Sequence, residues 1–396
     1  MNKKKIINDP IYGFINIPFE LLFDLIEHPW FQRLRRIYQV GMTNLIYPGA
    51  HHTRFHHALG AMHLMWESIN QLRNKGVEIS EEEARGACAA ILLHDIGHGP
   101  FSHALEGLMI PSSHEEISLR IIKVLNKEFN GALTVAIDIF TGKHPKKFLH
   151  QLVSSELDVD RLDYLNRDSF YTGVVEGKIG TNRIIKMLNV DDNELVIEEK
   201  GMYSVEKFLM ARKIMYWQVY MHKTVLAAEK MLISAVSRLK YLVNNRVEDF
   251  PGSKSFLTLL TEPGKENILD DFISTDDIDV LYTIKQHHKF KDSLFSYLSK
   301  GLLDRRLFRT QLSNEPFTKE YEEKIVYRIE NAMSLEPNVA RQLIFSGAET
   351  TKFYSEKPRQ IQFLMKDGSV RPFEEISELG VTNSKTTKYY LVYPKV

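Results

Sequence analysis

Hydrophobic residues recur at helical spacing through most of the chain between residue 19 and about residue 240. The clearest helix start is at Ser80, which has the spacing of a capping box together with Glu83. An apolar stripe follows, formed by Ala84, Ala87, Cys88, Ile91 and Leu92. A second long helix is predicted over residues 205–239. The pattern therefore predicts a mainly α-helical protein over most of its length.

The pattern changes after about residue 245. Two Pro-Gly pairs, at 251–252 and 263–264, punctuate a loop-rich stretch. Residues 360–365 and 369–373 flank the turn sequence at 366–368 and are predicted to form a hairpin. A further strand is predicted over residues 388–393.

The other end of the chain is predicted to be extended. Residues 1–20 form an arm in this prediction, with a turn at Asn8-Asp9-Pro10. We therefore expect a helical domain with an N-terminal arm over residues 1–245 and a smaller α+β region over residues 246–396.

Composition narrows the class of protein. The 396 residues include 43% hydrophobic residues, which is ordinary for a globular protein. Lys plus Arg and Asp plus Glu both number 51, and this balanced charge argues against binding to nucleic acid or to an acidic membrane as the function. The single Cys88 excludes an internal disulfide. No apolar run reaches the roughly 18 to 20 residues of a membrane helix, so a cytoplasmic protein is expected.

Histidines are concentrated in one part of the sequence. Nine of the 15 fall between His51 and His114, and three of these lie in the run HDIGHGPFSH at residues 94–103. The pattern suggests a metal site, with four candidate ligands: His57, His94, Asp95 and Asp160. Two imidazoles with two carboxylates suit Fe, Mn, Zn or Co. Such a metal lowers the pKa of bound water and neutralises charge that develops on phosphorus.

Helical spacing groups further candidates. Asp160, Tyr164 and Asp168 recur every four residues, so a helix would place them on one face. Gln32, Arg35 and Gln39 are likewise predicted to share a helix face.

The motifs together resemble a known family. His57, His94-Asp95 and Asp160 match the H…HD…D signature of HD-domain proteins. The runs at 47–57, 94–103, 113–115 and 158–168 are similar to those of the HD-domain deoxynucleoside triphosphate (dNTP) triphosphohydrolases, and the resemblance covers about residues 4–240. It implies an HD-domain helical bundle that cleaves dNTPs into deoxynucleoside and triphosphate, with Mg²⁺ accompanying the nucleotide.

The resemblance also implies roles for other residues. His103 with Glu106, and His98 and His114 nearby, would act at the α-phosphate, although the family usually has Asp in place of Glu106. Tyr164 would pack against the sugar and crowd a 2′-hydroxyl, while Asp168 and Gln39 would bind the 3′-hydroxyl. The remaining substrate positions are the phosphate-contacting Arg54, Arg161 and Arg212, and Tyr220.

A second nucleotide site is implied near the N-terminus. In regulated family members, the positions of Lys5, Asn8, Gln32 and Arg35 bind an activating nucleotide between subunits. Glu27 stands where an Asp commonly reads guanine, and Arg183 resembles another activator position. The resemblance thus implies a homo-oligomer, a dimer or tetramer.

Two other functions fit the same motifs. The first is phosphohydrolysis of a different nucleotide, such as a nucleoside monophosphate or a GTP-like signalling nucleotide. The second is a catalytically weak nucleotide sensor that uses the pocket for binding. Release of triphosphate separates the dNTP reading from both.

Overall fold

The computed structural model describes residues 5–245, 251–352, 361–378 and 385–396, apart from the side chains of His103, Thr351, Lys352 and Lys385. The described residues form 18 helices and nine strands, which confirms the mainly α prediction. The helices are α1 (Glu20–Glu27), α2 (Pro29–Gln32), α3 (Arg54–Asn74), α4 (Glu81–Leu93), α5 (His114–Glu128), α6 (Thr134–Phe140), α7 (Lys147–Val153), α8 (Val159–Thr172), α9 (Thr181–Met187), α10 (Met202–Met215), α11 (Lys223–Asn244), α12 (Lys254–Thr261), α13 (Ile268–Ile273), α14 (Asp277–Lys285), α15 (Ser293–Leu303), α16 (Lys319–Met333), α17 (Pro337–Arg341) and α18 (Phe373–Ile376).

The strands form three small sheets. They are β1 (Ile6–Asp9), β2 (Gly13–Asn16), β3 (Leu188–Asp191), β4 (Glu194–Glu198), β5 (Arg309–Ser313), β6 (Phe345–Lys352), β7 (Gln362–Leu364), β8 (Val370–Pro372) and β9 (Lys385–Tyr393). The sheet orders are β1-β2, β3-β4-β7-β8 and β5-β9-β6, and only the β4–β7 pairing is parallel among the described strands. The predicted extended arm is thus a hairpin, and the predicted strands near the C-terminus are confirmed, except that residue 360 lies outside the described residues.

The core of the helical part is built by α3, α4 and α8, which pack against one another or against α6. The capping box predicted at Ser80 is present, with Glu83 reciprocating. Gly60 explains the close packing of α3 on α8, because a Cβ at this position would lie 2.0 Å from Asp163 Oδ1 and 2.2 Å from Arg167 Nη2. Only glycine leaves room for this buried ion pair.

The single helix predicted over residues 205–239 is wrong in its continuity. Helix α10 passes into a π-helical turn, Tyr216–Tyr220, and the helical conformation ends there before α11 begins at Lys223. The π-turn inserts an extra residue into the helical repeat, which the apolar spacing does not register. Turns of this kind are frequent at functional sites, and Tyr216 and Tyr220 both line the cavity described below.

The C-terminal region packs onto the helical part. Strand β7 extends the β3–β4 hairpin, and the backbone carbonyl of Thr275 accepts a hydrogen bond from Arg33 Nε at 2.8 Å. Arg36 forms an ion pair with Asp276. A domain boundary near residue 245 remains a prediction. Within the described residues, no helix has the length and apolar character needed to cross a membrane.

Candidate active site

Three elements bring the predicted metal ligands together. His57 lies on α3, His94 caps the end of α4, and Asp160 lies in the first turn of α8. One ligand atom from each of these residues lies within 4.8 Å of the others. The Asp160 carboxylate is 3.0 Å from His57 Nε2 and 3.5 Å from His94 Nε2. Asp95 is adjacent, with its two oxygens 3.2 Å from His94 Nε2 and 3.7 Å from His57 Nε2.

Hydrogen bonds fix both imidazoles with the same nitrogen turned inward. His94 Nδ1 donates to the Ile91 carbonyl at 2.6 Å, and His57 Nδ1 donates to Asp163 at 2.8 Å. Each Nε2 atom is therefore the unprotonated nitrogen of its imidazole and has a lone pair available for a metal. Both Nε2 atoms are buried without a hydrogen-bond partner among the described residues. Orphaned imidazole nitrogens facing carboxylates are what a transition metal requires, so the residues present fit such an ion.

We call His57, His94, Asp95 and Asp160 the metal ring. A series of buried ion pairs leads from the metal ring to the N-terminal hairpin formed by β1 and β2. Asp163 accepts two hydrogen bonds from Arg167, both at 2.9 Å, and Arg167 Nη1 donates to Asp9 at 2.8 Å. The second Asp9 oxygen accepts from the backbone of the turn that joins β1 to β2. Burial opposes the charge on Arg167, but the two carboxylates raise its pKa above the ordinary value. This series of ion pairs orients His57 through Asp163, as an outer-sphere carboxylate does in metal sites.

His98 and His114, two of the predicted catalytic histidines, lie beside the metal ring. His98 Nε2 is 3.3 Å from Asp95, and its ring stacks on that of His114 at a centroid distance of 4.0 Å. Glu106 accepts from His114 Nδ1 at 2.9 Å, so this longer carboxylate backs His114. The side chain of His103 lies outside the described part of the structure. Burial and the neighbouring Arg54 hold the pKa of His98 well below its ordinary value, so the ring is neutral at pH 7.

A cavity of about 560 Å³ lies beside the metal ring. This volume is within the usual range for small-molecule sites, roughly 300–1,000 Å³. Its walls include Asp95, His98, His114 and Asp160, together with six of the seven predicted substrate residues: Gln39, Arg54, Tyr164, Asp168, Arg212 and Tyr220. Asp160, Tyr164 and Asp168 thus line one cavity from one helix, as their spacing predicts. Arg161 is not among the lining residues, and it binds Asp158 at 2.6 Å.

Asp168 is held rigidly at the wall. Its two oxygens bind His52 Nε2 at 2.7 Å and the Tyr220 hydroxyl at 2.6 Å. The rings of Tyr220 and Tyr164 pack edge to face, with their centroids 6.4 Å apart. Gln39 Oε1 is buried without a hydrogen-bond partner among the described residues. The wall therefore offers a fixed carboxylate, an aromatic face and an unused amide acceptor.

The arginines of the cavity are already paired. Arg54 forms an ion pair with Asp95 and donates to the Ser102 hydroxyl at 2.8 Å. Arg212 donates to Glu156 at 2.7 Å. These pairings hold the guanidinium groups in place, and Arg groups so fixed suit anionic oxygen atoms.

The loop that carries His98 is strained and is held from the C-terminal region. Phe101 and Ser102 have positive φ angles of 50° and 42°. Asp277 accepts hydrogen bonds from the backbone N–H of Phe101 at 2.7 Å and of Tyr38 at 2.8 Å. The His98 carbonyl accepts from buried Arg33 at 2.9 Å. Strain of this kind persists only where surrounding contacts impose it.

Asp277→Ala should therefore loosen the loop without removing a metal ligand. One buried and one partly buried N–H group would lose their acceptor, at a cost of about 2–3 kcal/mol in the free energy of unfolding. We expect a lower kcat with unchanged metal content, measured by urea unfolding, steady-state kinetics and elemental analysis. Asp304→Ala, at an exposed position, is the matched control. Wild-type stability and kcat in Asp277→Ala would contradict the assignment.

The residues predicted for a second nucleotide site lie on several different elements. Lys5 Nζ is 4.0 Å from the centre of the Phe23 ring, and Arg35 donates to Gln32 at 2.7 Å. The prediction that Gln39 shares a helix face with them is wrong, because α2 ends at Gln32 and a 3₁₀ turn, Arg33–Arg36, follows it. Of the other predicted positions, Asn8 lies in β1, Glu27 ends α1, and Arg183 donates to the Lys200 carbonyl at 3.1 Å.

Sequence reasoning missed several residues of this site. His52, Asp163 and Arg167 all fall inside the motif runs, and their four-residue spacing in α8 could have paired the last two. Glu229 lines the cavity from α11 but carries no motif signal.

Comparison with known proteins agrees with this geometry. The HD domain family matches residues 54–168, and the HD associated region family matches residues 179–250. A crystal structure of a phosphohydrolase from Bacteroides thetaiotaomicron is 46% identical, with a TM-score of 0.95, and the match covers 99% of this chain and 100% of that one.

Two curated relatives extend the comparison. An uncharacterized protein of Bacillus subtilis is 30% identical over all of this chain and 93% of its own length. The Dictyostelium discoideum homolog of the deoxynucleoside triphosphate triphosphohydrolase SAMHD1 is 31% identical over 64% of this chain. This chain spans about half of that protein, 53% of its length. These matches agree with the placement of His57, His94, Asp95 and Asp160 in the metal ring, and the chain belongs to the family of HD-domain phosphohydrolases.

Proposed function

We propose that the protein hydrolyses dNTPs to deoxynucleoside and triphosphate, using a divalent transition metal. The observation that carries the proposal is that Asp95 and Asp160, which lie beside His57 and His94, line the same cavity as Tyr164 and Asp168. A phosphate held at the ring would therefore leave the sugar beside an aromatic face and a fixed carboxylate. The D. discoideum relative, whose name states this activity, supports the same substrate class.

The metal would polarise a phosphate oxygen and supply an activated water. Around it, Arg54 and Arg212 would hold the phosphates, and Mg²⁺ would accompany the nucleotide. Arg161, which binds Asp158 and is not among the cavity-lining residues, would have no direct contact with them in this arrangement. Neutral His98, with His114 backed by Glu106, would orient water or move a proton to the departing 5′-oxygen, with His103 completing this set.

At the sugar, Asp168 and Gln39 would bind the 3′-hydroxyl. Asp168 can only accept when ionised, and its two oxygens are already oriented by His52 and Tyr220. Burial raises the pKa of Tyr164 to about 12, so this ring stays neutral and presents an aromatic face to the sugar.

The test is product identification. Purified protein loaded with Mn²⁺ or Fe²⁺ is given each dNTP, each NTP and nucleoside monophosphates, and the products are separated by anion exchange. Triphosphate together with free deoxynucleoside is expected. Release of orthophosphate or pyrophosphate instead would assign a different phosphohydrolase reaction, and tight binding without turnover would favour the nucleotide sensor.

Tyr164→Ala should weaken sugar selectivity. A 2′-hydroxyl would meet the Tyr164 ring, whereas alanine leaves a gap, so the ratio of kcat/KM for dGTP over GTP should fall about tenfold. Tyr164→Phe is the matched control, because it keeps the ring and should keep the ratio. A wild-type enzyme that turns over GTP and dGTP equally would contradict this role.

We further propose that Lys5, Asn8, Gln32 and Arg35 bind an activating nucleotide between subunits of a homo-oligomer, and that Glu27 and Arg183 contribute to the same site. The Lys and Arg groups would hold phosphates, and a ligand that prefers the assembled state shifts assembly by mass action. A tenfold shift needs only about 1.4 kcal/mol of preference.

Arg35→Ala should abolish this response while metal content stays at the wild-type level. With GTP or a dNTP present, we expect the wild type to gain both mass, measured by light scattering, and hydrolysis of a second dNTP. Arg328→Ala, at an exposed position far along the chain, serves as the control. If wild-type mass and rate ignore every nucleotide, the N-terminal residues have a structural role only.

A further inference from the structure

The carboxyl of one cavity-lining residue is not used by any of the roles above. Glu229, on α11, lines the same cavity as Asp95 and Asp168. Its carboxylate lies against the turn that follows Gln39, since Oε1 is 4.0 Å from the point where a Cβ on Gly41 would stand. The position is thus next to the residue proposed to bind the sugar.

The carboxyl of Glu229 has no hydrogen-bond partner in the part of the chain that the structure describes. Burial is the largest influence on it, and no side chain or backbone group of the described residues forms a hydrogen bond with it. The charged groups that face it are Lys230 on its own helix and Glu349 on β6. Lys230 Nζ is directed to the ring of Tyr390, 5.1 Å from its centre. A second cavity-lining group, the Tyr216 hydroxyl, is hydrogen-bonded to Glu349.

We propose that Glu229 hydrogen-bonds the Watson–Crick edge of the bound base, and that in its protonated form it accepts all four bases. This inference rests on the proposed dNTP activity. With the phosphates at the metal ring and the sugar beside Tyr164, Asp168 and Gln39, the base would occupy the remaining space, and Glu229 offers it a carboxyl without a hydrogen-bond partner among the described residues.

Hydrogen-bond complementarity explains the permissive recognition. A neutral carboxyl has one donor and one acceptor side by side, and every base has an adjacent acceptor and donor on its edge. An ionised carboxylate has acceptors only. It therefore suits the two neighbouring N–H donors of guanine and repels the ring nitrogen acceptors of adenine and cytosine. Burial and Glu349 raise the pKa of Glu229 to about 7, so both forms are accessible.

The test compares the wild type with Glu229→Gln and Glu229→Leu. Glutamine keeps one donor and one acceptor at every pH, whereas leucine keeps the volume and neither group. Binding of each dNTP to chelator-treated protein is measured by calorimetry at about pH 6 and about pH 8.5, alongside triphosphate release by the Mn²⁺-loaded protein.

We expect wild-type affinities for dGTP and dATP to be similar at low pH and to separate about tenfold in favour of dGTP at high pH. Glu229→Gln should show no such separation, and Glu229→Leu should bind all four dNTPs about tenfold more weakly. If Glu229→Leu binds like the wild type, or if the wild-type ratio ignores pH, the inference fails while triphosphate release still supports the proposed activity. If no dNTP binds and none is hydrolysed, both fail.

Discussion

Replacing His94 with alanine is expected to remove the bound metal and nearly all hydrolysis while the fold survives. His94 supplies one of the two inward Nε2 atoms, and it caps the end of α4 without forming part of the core. Loss of metal removes several kcal/mol of charge stabilisation at the transition state, and about 4 kcal/mol corresponds to a fall in kcat on the order of a thousandfold. Elemental analysis and triphosphate release measure the two effects, and circular dichroism measures the fold.

The same experiment includes Asp95→Ala and a control at His288. Asp95→Ala should behave like His94→Ala, with a further disturbance of Arg54, which would lose its ion-pair partner. His288→Ala removes an exposed histidine and should leave metal and rate unchanged. Full activity of His94→Ala with no metal found would exclude metal-dependent hydrolysis at this ring.

Arg167→Leu is expected to have the largest effect on stability. The substitution leaves the carboxylates of Asp9 and Asp163 buried without their cation. Breaking a buried ion pair in this way costs about 3–5 kcal/mol in the free energy of unfolding. The released Asp163 would also hold His57 less firmly, and loss of such an outer-sphere group lowers metal affinity about 10–100-fold.

Urea unfolding and competitive metal titration measure the two consequences of Arg167→Leu. Arg341→Leu is the matched control, because Arg341 also makes a two-point ion pair, with Glu323, but at the surface. Exposed pairs of this kind contribute little, so its unfolding midpoint should stay close to that of the wild type. Arg167→Lys tests the geometry, since lysine keeps the charge and lacks the planar fork. An unfolding midpoint of Arg167→Leu equal to that of Arg341→Leu would show that this series of buried ion pairs does not stabilise the fold.

Local signals in the sequence predict much of the helical part. The capping residues Ser80 and Glu83 and the apolar stripe after them act within one turn of helix, so the start of α4 follows from neighbours alone. The spacing of Asp160, Tyr164 and Asp168 likewise transfers directly to one wall of the cavity. These features depend on contacts a few residues apart, and a periodic pattern records such contacts.

Features that depend on distant residues escape the pattern. The π-turn at Tyr216–Tyr220 keeps a helical composition, so nothing local marks the change in repeat. Asp9 meets Arg167 only when the N-terminal hairpin docks on α8, and Asp277 meets the loop at Phe101 only when the C-terminal region packs against it. Glu229, on helix α11, acquires its environment from burial and from Glu349, a distant residue on strand β6.

The two hydrogen bonds that Asp277 accepts from the backbone of Tyr38 and Phe101 bear on the order in which the site folds during synthesis. The nascent chain can bring His57, His94 and Asp160 together once α8 has left the ribosome, but the backbone N–H groups of Tyr38 and Phe101 then wait for an acceptor 239 and 176 residues away. Contacts at such separations form late, because the intervening chain must first be ordered. We therefore expect a partly synthesised chain to gather its candidate metal ligands while the loop bearing His98 is still loose. We therefore expect the proposed hydrolysis to reach its full rate only after translation has passed α14.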